Sequence, residues 1–181
     1  MDELKSLYFT ALKKVKWQQP ETFSFEDEKS RLWLLEEGSL SRLLAKECSK
    51  LSVNLLKNET INHAQVSEHE RGCLVQEDYL LREVILSGDE HEWVLGRTLI
   101  PLSSLEGQQH DLTRQGDIPL GLTVFNAEYV KRDELEVGWA EVPEGRLLAR
   151  RSRLWMNHKP MLVAELFLPN SPMYSCSVVM K

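Results

Sequence analysis

Residues 160–169, PMLVAELFLP, constrain the fold more than any other stretch, because they are apolar on both faces of an extended chain. If successive side chains alternate between faces, Met161, Val163, Glu165 and Phe167 share one side, and Leu162, Ala164, Leu166 and Leu168 fill the other. Such a segment belongs inside the protein as a buried strand, and it carries one carboxylate in with it. Burying that group is costly unless something pairs with it. Either a structural cation or a ligand must answer Glu165.

The chain around this strand can build a core large enough to bury it. Its 181 residues are 42% apolar, within the range of one domain, and we expect a single domain over residues 1–181. Charged residues are well mixed, and no repeat or low-complexity tract interrupts them. The apolar runs fall short of the roughly 18 to 20 residues that a membrane span needs. The opening MDELKSLYFTALKK lacks the order of a signal peptide, so a cytoplasmic protein without stable membrane insertion is expected. Cys48, Cys73 and Cys176 are odd in number and have no C-x-x-C spacing, which fits reduced thiols rather than a disulfide framework. With 22 basic against 28 acidic side chains the net charge is −6, so there is no overall basic footprint for nucleic acid. An anionic ligand would need locally placed arginine.

Helical spacing of Leu4, Leu7, Tyr8, Ala11 and Leu12 predicts a first helix over 3–15. EDEKSRLWLLEEGSLSRLLAKEC holds two further helical patterns broken at Gly38, with Gly38 suited to a C-terminal cap and Ser39 to the next N-cap. LSVNLLKNETI reads as a strand, and NHAQVSEHERG as an exposed loop or short irregular stretch. YLLREVILS and WVLGRTLIPL flank GDEHE, which predicts a hairpin with a longer loop. Short helical pieces are expected within SSLEGQQHDLTRQGDIPLGLTVF, then a strand at DELEVGWAEV, and a last hairpin pairing LLARRSRLWM with PMLVAELFLP across NHK. Helices first and neighbouring strands afterwards point to an α+β fold, a single antiparallel sheet with helices packed on one side.

The alternation that exposes Glu165 also places Arg82 on an apolar face, with Leu80, Val84 and Leu86. Two readings are open. Arg82 and Glu165 form a buried ion pair that holds strands together, or Arg82 offers its planar fork to a ligand carboxylate while Glu165 meets a polar group at the ligand's other end. Arg97 shares a face with Trp93, Leu95 and Leu99, and reads as structural support behind a site or as a ligand contact. The RRSR run, Arg150 to Arg153, reads as a solvated face. No histidine pair has metal-ligand spacing, so no metal is expected. There is no G-x-S-x-G, no phosphate-binding glycine loop and no cysteine set beside a histidine. Any catalyst here works by shape and electrostatics.

The segments LLREVILSGDEHEWVLGRTLIPLSSL, IPLG, RRSRLW, KPMLVAELFLPNSPMY and WLLEEGSLSRLL together resemble the bacterial chorismate pyruvate-lyase family. The resemblance spans roughly residues 30 to 174, is dense over 79–105 and 149–174, is weak over 52–78, and leaves the tail after Tyr174 outside the family pattern. It implies helical flaps enclosing a buried ligand on the sheet, with no metal or organic cofactor. It also implies the conversion of chorismate to 4-hydroxybenzoate and pyruvate, the first committed step of ubiquinone biosynthesis, by a protein expected to be a monomer. Arg82 matches the family's ligand-binding arginine and Glu165 its glutamate. Leu120, after the proline of the PLG turn, and Leu40, at the flap helix start, match its two ligand-binding backbone amides. A non-catalytic small-ligand binder is the alternative, since the UTRA effector-sensing domains of some transcription regulators resemble this fold. Those carry an N-terminal DNA-binding domain, and about thirty residues before the match are too few for one.

Overall fold

The computed structural model describes residues 3–106 and 130–174. Its centre is the doubly apolar strand, here β6 (Lys159–Phe167), which has a neighbour on each side. One neighbour is β3 (His91–Pro101), the other β5 (Gly145–Met156). Outward from these lie β2 (Tyr79–Gly88) and β1 (Leu51–Ile61) on one flank and β4 (Lys131–Val142) on the other. The order is β1-β2-β3-β6-β5-β4, and every neighbouring pair is antiparallel. Central placement explains why β6 can be apolar on both faces: each face is covered.

The covering helices lie on both faces, whereas the order of elements predicts one side. Val94, Gly96 and Thr98 of β3 face the helix α3 (Leu40–Ala45). Leu95 and Arg97, the alternate residues, face α1 (Glu3–Lys13) and α4 (Glu68–Cys73). A sheet whose two faces are equally apolar leaves no reason for helices to collect on one of them. The remaining helix, α2 (Glu28–Leu34), starts at Asp27, whose side chain accepts from Ser30 N at 2.6 Å. Ser39 caps α3 as the sequence predicts, accepting from Arg42 N at 3.2 Å. The stretch NHAQVSEHERG, expected to be irregular, carries α4, opened by a capping box in which Ser67 and Glu70 satisfy each other's backbone amides.

Both hairpin turns beside the central strands are tight. Asp89 and Glu90 connect β2 to β3 with φ of 48° and 71°, and Asn157 and His158 connect β5 to β6 with φ of 53° and 66°. Two consecutive left-handed residues match the right-handed twist of the flanking strands. The longer loop expected at GDEHE therefore does not form, because Gly88 and His91 already pair as strand residues. Asp89 is recruited to the turn by its carboxylate, which accepts from Ser49 N at 3.1 Å and Lys50 N at 2.8 Å. Those bonds hold its carboxyl below the usual range.

Beyond the last ladder pair of β5 with β6, a tyrosine takes over the pairing. The Tyr174 hydroxyl donates to Phe167 O at 2.7 Å and accepts from Leu148 N at 2.9 Å, both contacts buried. Burial drives its pKa upward, so it stays a donor. Tyr174→Phe strands a buried amide and a buried carbonyl together, and we expect it to destabilise the fold by about 2 kcal/mol, read as a lower urea midpoint with an unchanged slope.

Candidate active site

The strand register assembles a chamber on the α3 side of the sheet. Side chains directly opposite in antiparallel strands share a face, so Arg82 with Thr98, Val84 with Gly96, and Gly96 with Glu165 form one continuous surface. β3 separates Arg82 from Glu165, which puts them two strand spacings, about 10 Å, apart across the sheet. Between them Gly96 contributes no side chain; a Cβ there would stand 3.2 Å from Val84 Cγ2. The floor is thus low between two charged posts. Val53, Leu86, Val94, Leu154 and Val163 wall the cavity, and Leu40 and Ser41 of α3 close it from above.

Two guanidiniums line the cavity, and a third, that of Arg150, stands behind a lining carboxylate. Arg82 is 1% exposed and Arg150 0%, and Arg132 lines the same cavity. Glu165, 7% exposed, pairs with Arg150, its neighbour across the β5–β6 ladder, whose Nε donates to Oε2. Burial, and then the nearby Arg150 charge, pull the Arg132 guanidinium down to about 10, while Glu165 pulls it the other way. Among the described residues Glu165 is the carboxylate lining the cavity, beside the guanidiniums of Arg82 and Arg132, and Glu36 and Glu37 act on Arg132 from the roof.

The same arginines hold the roof. Arg150 Nη1 donates to Glu36 O at 2.9 Å and Arg132 Nη2 to Gly38 O at 3.1 Å, while Arg132 Nε reaches Glu37 O at 3.2 Å. Arg132 also donates through Nη1 to Ser152 Oγ. Carbonyls at the end of α2 and in the α2–α3 turn, which a helix terminus leaves without internal partners, are therefore satisfied from the sheet. This α2–turn–α3 segment lies where the resemblance implies a helical flap, with Leu40 and Ser41 lining the cavity.

Of the residues singled out from the sequence, Arg82, Glu165 and Leu40 line one cavity. Leu120 lies outside the described residues. Glu165 takes Arg150 as its ion-pair partner, so the Arg82–Glu165 pair gives way to a pair between adjacent strands. Arg97 points to the opposite face, where its Nη1 donates to Glu70 Oε2, so it is separated from the chamber by the sheet itself. Arg150 and Arg132 were missed. RRSR is not a uniformly solvated run: Arg150 and Arg151 are both buried, on opposite faces. The available signal was position, since the run lies in the strand paired with PMLVAELFLP. Among the described residues no group of three or more His, Cys, Asp or Glu is placed to hold a metal ion. No helix among them is long and apolar enough to cross a membrane.

An open six-stranded antiparallel sheet with helices on both faces defines a class of α+β folds. A ligand-binding domain described as that of a GntR-family transcriptional regulator from Bordetella bronchiseptica shares this fold at a TM-score of 0.51, with 16% identity over 67% of this chain and 86% of that one. The effector domain of PhnF from Mycobacterium smegmatis does so at 0.50, with 10% identity over 72% and 88%. Within that class the chain belongs to the chorismate lyase family, whose model matches residues 11–179. A Vibrio vulnificus protein named Probable chorismate pyruvate-lyase is 58% identical over 97% of this chain and 98% of its own. The Pectobacterium carotovorum protein named Chorismate pyruvate-lyase is 39% identical over 78% of each. The match is wider than the 30–174 resemblance and reaches into the tail after Tyr174, which therefore lies largely within the family pattern.

Removing one member of the buried pair should cost more than removing both. Arg150→Ala leaves Glu165 charged and buried, an expected loss of about 3–5 kcal/mol, whereas Arg150→Met combined with Glu165→Leu should recover most of it. Urea denaturation of the three proteins decides; an equal loss in the double variant would assign the cost to the roof carbonyls instead.

Proposed function

We propose that this chamber converts chorismate to 4-hydroxybenzoate and pyruvate, supplying the first committed step of ubiquinone biosynthesis. The observation that carries the reading is the lining: an apolar-walled cavity presenting the Arg82 and Arg132 guanidiniums and the Glu165 carboxylate suits a compact dianion with a ring between its charged groups. Chorismate is such a dianion. The identity to proteins bearing the lyase name supports the same reaction. The non-catalytic alternative shares the fold with this chain and not the family.

In the reaction the ether C–O bond to the ring breaks, and the ring carbon bearing the hydroxyl gives up its hydrogen as a proton. The electron pair of that C–H bond completes the aromatic ring. The departing enolpyruvate takes a proton on its methylene carbon to become pyruvate. Aromatisation supplies the driving force, so the protein's task is to hold the substrate in its reactive conformation, exclude water and present fixed charge. Arg82 anchors the ring carboxylate by its planar fork. Arg132 faces the enolpyruvyl carboxylate. Glu165 orients the ring hydroxyl, and Arg150 holds Glu165 in place. The Leu40 amide, at the first position of α3 after the Ser39 cap, and the Leu120 amide complete the contacts to the ligand. Arg97 supports the sheet from behind. The reaction needs no metal or organic cofactor.

On this reading the whole chain, residues 1–181, is one domain acting as a cytoplasmic monomer on a small molecule, without nucleic acid. Purified protein mixed with chorismate should release pyruvate and 4-hydroxybenzoate in equal amounts; binding without release of either would support the non-catalytic alternative. Arg82→Ala is expected to lose about 3–5 kcal/mol of transition-state binding, a fall of about a hundredfold or more in kcat/KM. Glu165→Gln should keep the fold by circular dichroism and slow turnover, and unchanged kinetics would remove Glu165 from the site. Because the roof encloses product as well as substrate, a burst of 4-hydroxybenzoate should precede the steady state; progress that is linear from the first turnover would place the slow step in chemistry.

A further inference from the structure

The sheet carries a second cationic cavity, on the face turned away from the chamber. It has a volume of about 330 Å³ and lies between the end of α1 with the residues after it and the start of α4. Its floor is Arg97 and Arg151, 5% and 3% exposed. Each is engaged at one end only. Arg97 pairs with Glu70, and Arg151 Nη2 lies 2.6 Å from both Glu136 Oε1 and His69 Nδ1. The Nε of each has no hydrogen-bond partner among the described residues. Both Nε atoms are sealed from solvent, while other parts of the two side chains line the cavity. Trp17 forms a flat wall, with the Arg151 guanidinium carbon 5.0 Å from its ring centroid, and exposed Lys13 and Lys16 stand among the lining residues. Among the described residues, Lys13, Lys16, Arg97 and Arg151 line the cavity with Glu70, and Glu136 pairs with Arg151 beside it.

We infer that this cavity is a binding site for a small aromatic carboxylate, its anionic end over Arg97 and Arg151 and its ring against Trp17. The arginines supply planar, weakly hydrated donors for the carboxylate, the tryptophan supplies a stacking surface, and the lysines draw the anion in. The chamber is not involved, because the full thickness of the sheet lies between, and Arg97 and Gly96 point to opposite faces. The site therefore stands or falls independently of the lyase reading.

Benzoate is the probe. In the full-length ¹⁵N-labelled protein, titration with sodium benzoate at constant ionic strength should shift the Trp17 indole N–H saturably, the resonance being assigned through Trp17→Phe. Inorganic phosphate, which has no ring, should bind there at least fivefold more weakly. Lys13→Glu with Lys16→Glu, both at exposed positions, should weaken benzoate at least tenfold, and Arg82→Ala should leave the Trp17 titration unchanged. The inference is overturned if the indole does not shift, if sodium chloride reproduces the shift, if phosphate binds as tightly as benzoate, or if the lysine pair has no effect. Loss of the shift in Arg82→Ala would also overturn it, by tracing the signal to the chamber.

Discussion

The pairing of Glu165 with Arg150 is the interaction on which the architecture turns. A carboxylate in the middle of the central strand is tolerable only if a cation stands on an adjacent strand at the same level, because a buried charge without a partner costs far more than the pair itself contributes. The antiparallel register of β5 and β6 supplies that cation directly opposite. Arg150 then has donors left over, and these reach upward to Leu34 and Glu36 carbonyls, so the roof's position follows from the same register. One strand pairing thus settles the core, the charge balance and the enclosure.

Much of this was legible in alternation alone. The period of two placed Arg82 with Val84 and Leu86, and Glu165 with Val163, and those residues do line one cavity. Ser39 as the cap of α3 was equally readable, because a short hydroxyl side chain ahead of an apolar helical run has few other uses. What failed was the identity of Glu165's partner. The pairing of these two strands is expected from the sequence, but alternation does not fix their register, and Arg150 stands opposite Glu165 because a two-residue turn at Asn157 and His158 sets it. Read as a charge run, RRSR also looked solvated. Its burial depends on the helices covering both faces, a tertiary fact outside any short window.

Other misses have local causes. The S-x-x-E signature at Ser67–Glu70 opens a helix in a stretch expected to be irregular, because α4 buries none of its own side chains and so shows no apolar period. The turn at Asp89 and Glu90 has no glycine at its two central positions, although such turns favour it; the aspartate's bonds to Ser49 and Lys50 compensate at a distance of about forty residues in sequence. Arg132 stood next to an acid-rich strand start, and nothing in its own neighbourhood distinguishes it from a surface arginine.

The fastening of the α2–α3 turn has a thermodynamic consequence. Leu35, Glu36 and Gly38 are half-buried, Glu37 is exposed, and the turn is tied down through backbone carbonyls rather than by packed hydrocarbon. Raising that short span exchanges protein hydrogen bonds for bonds to water and uncovers little apolar surface, so the heat-capacity increment of the motion is small. Its equilibrium is accordingly governed by enthalpy and by dissolved ions more than by temperature-dependent hydration, unlike the unfolding of the core beneath it.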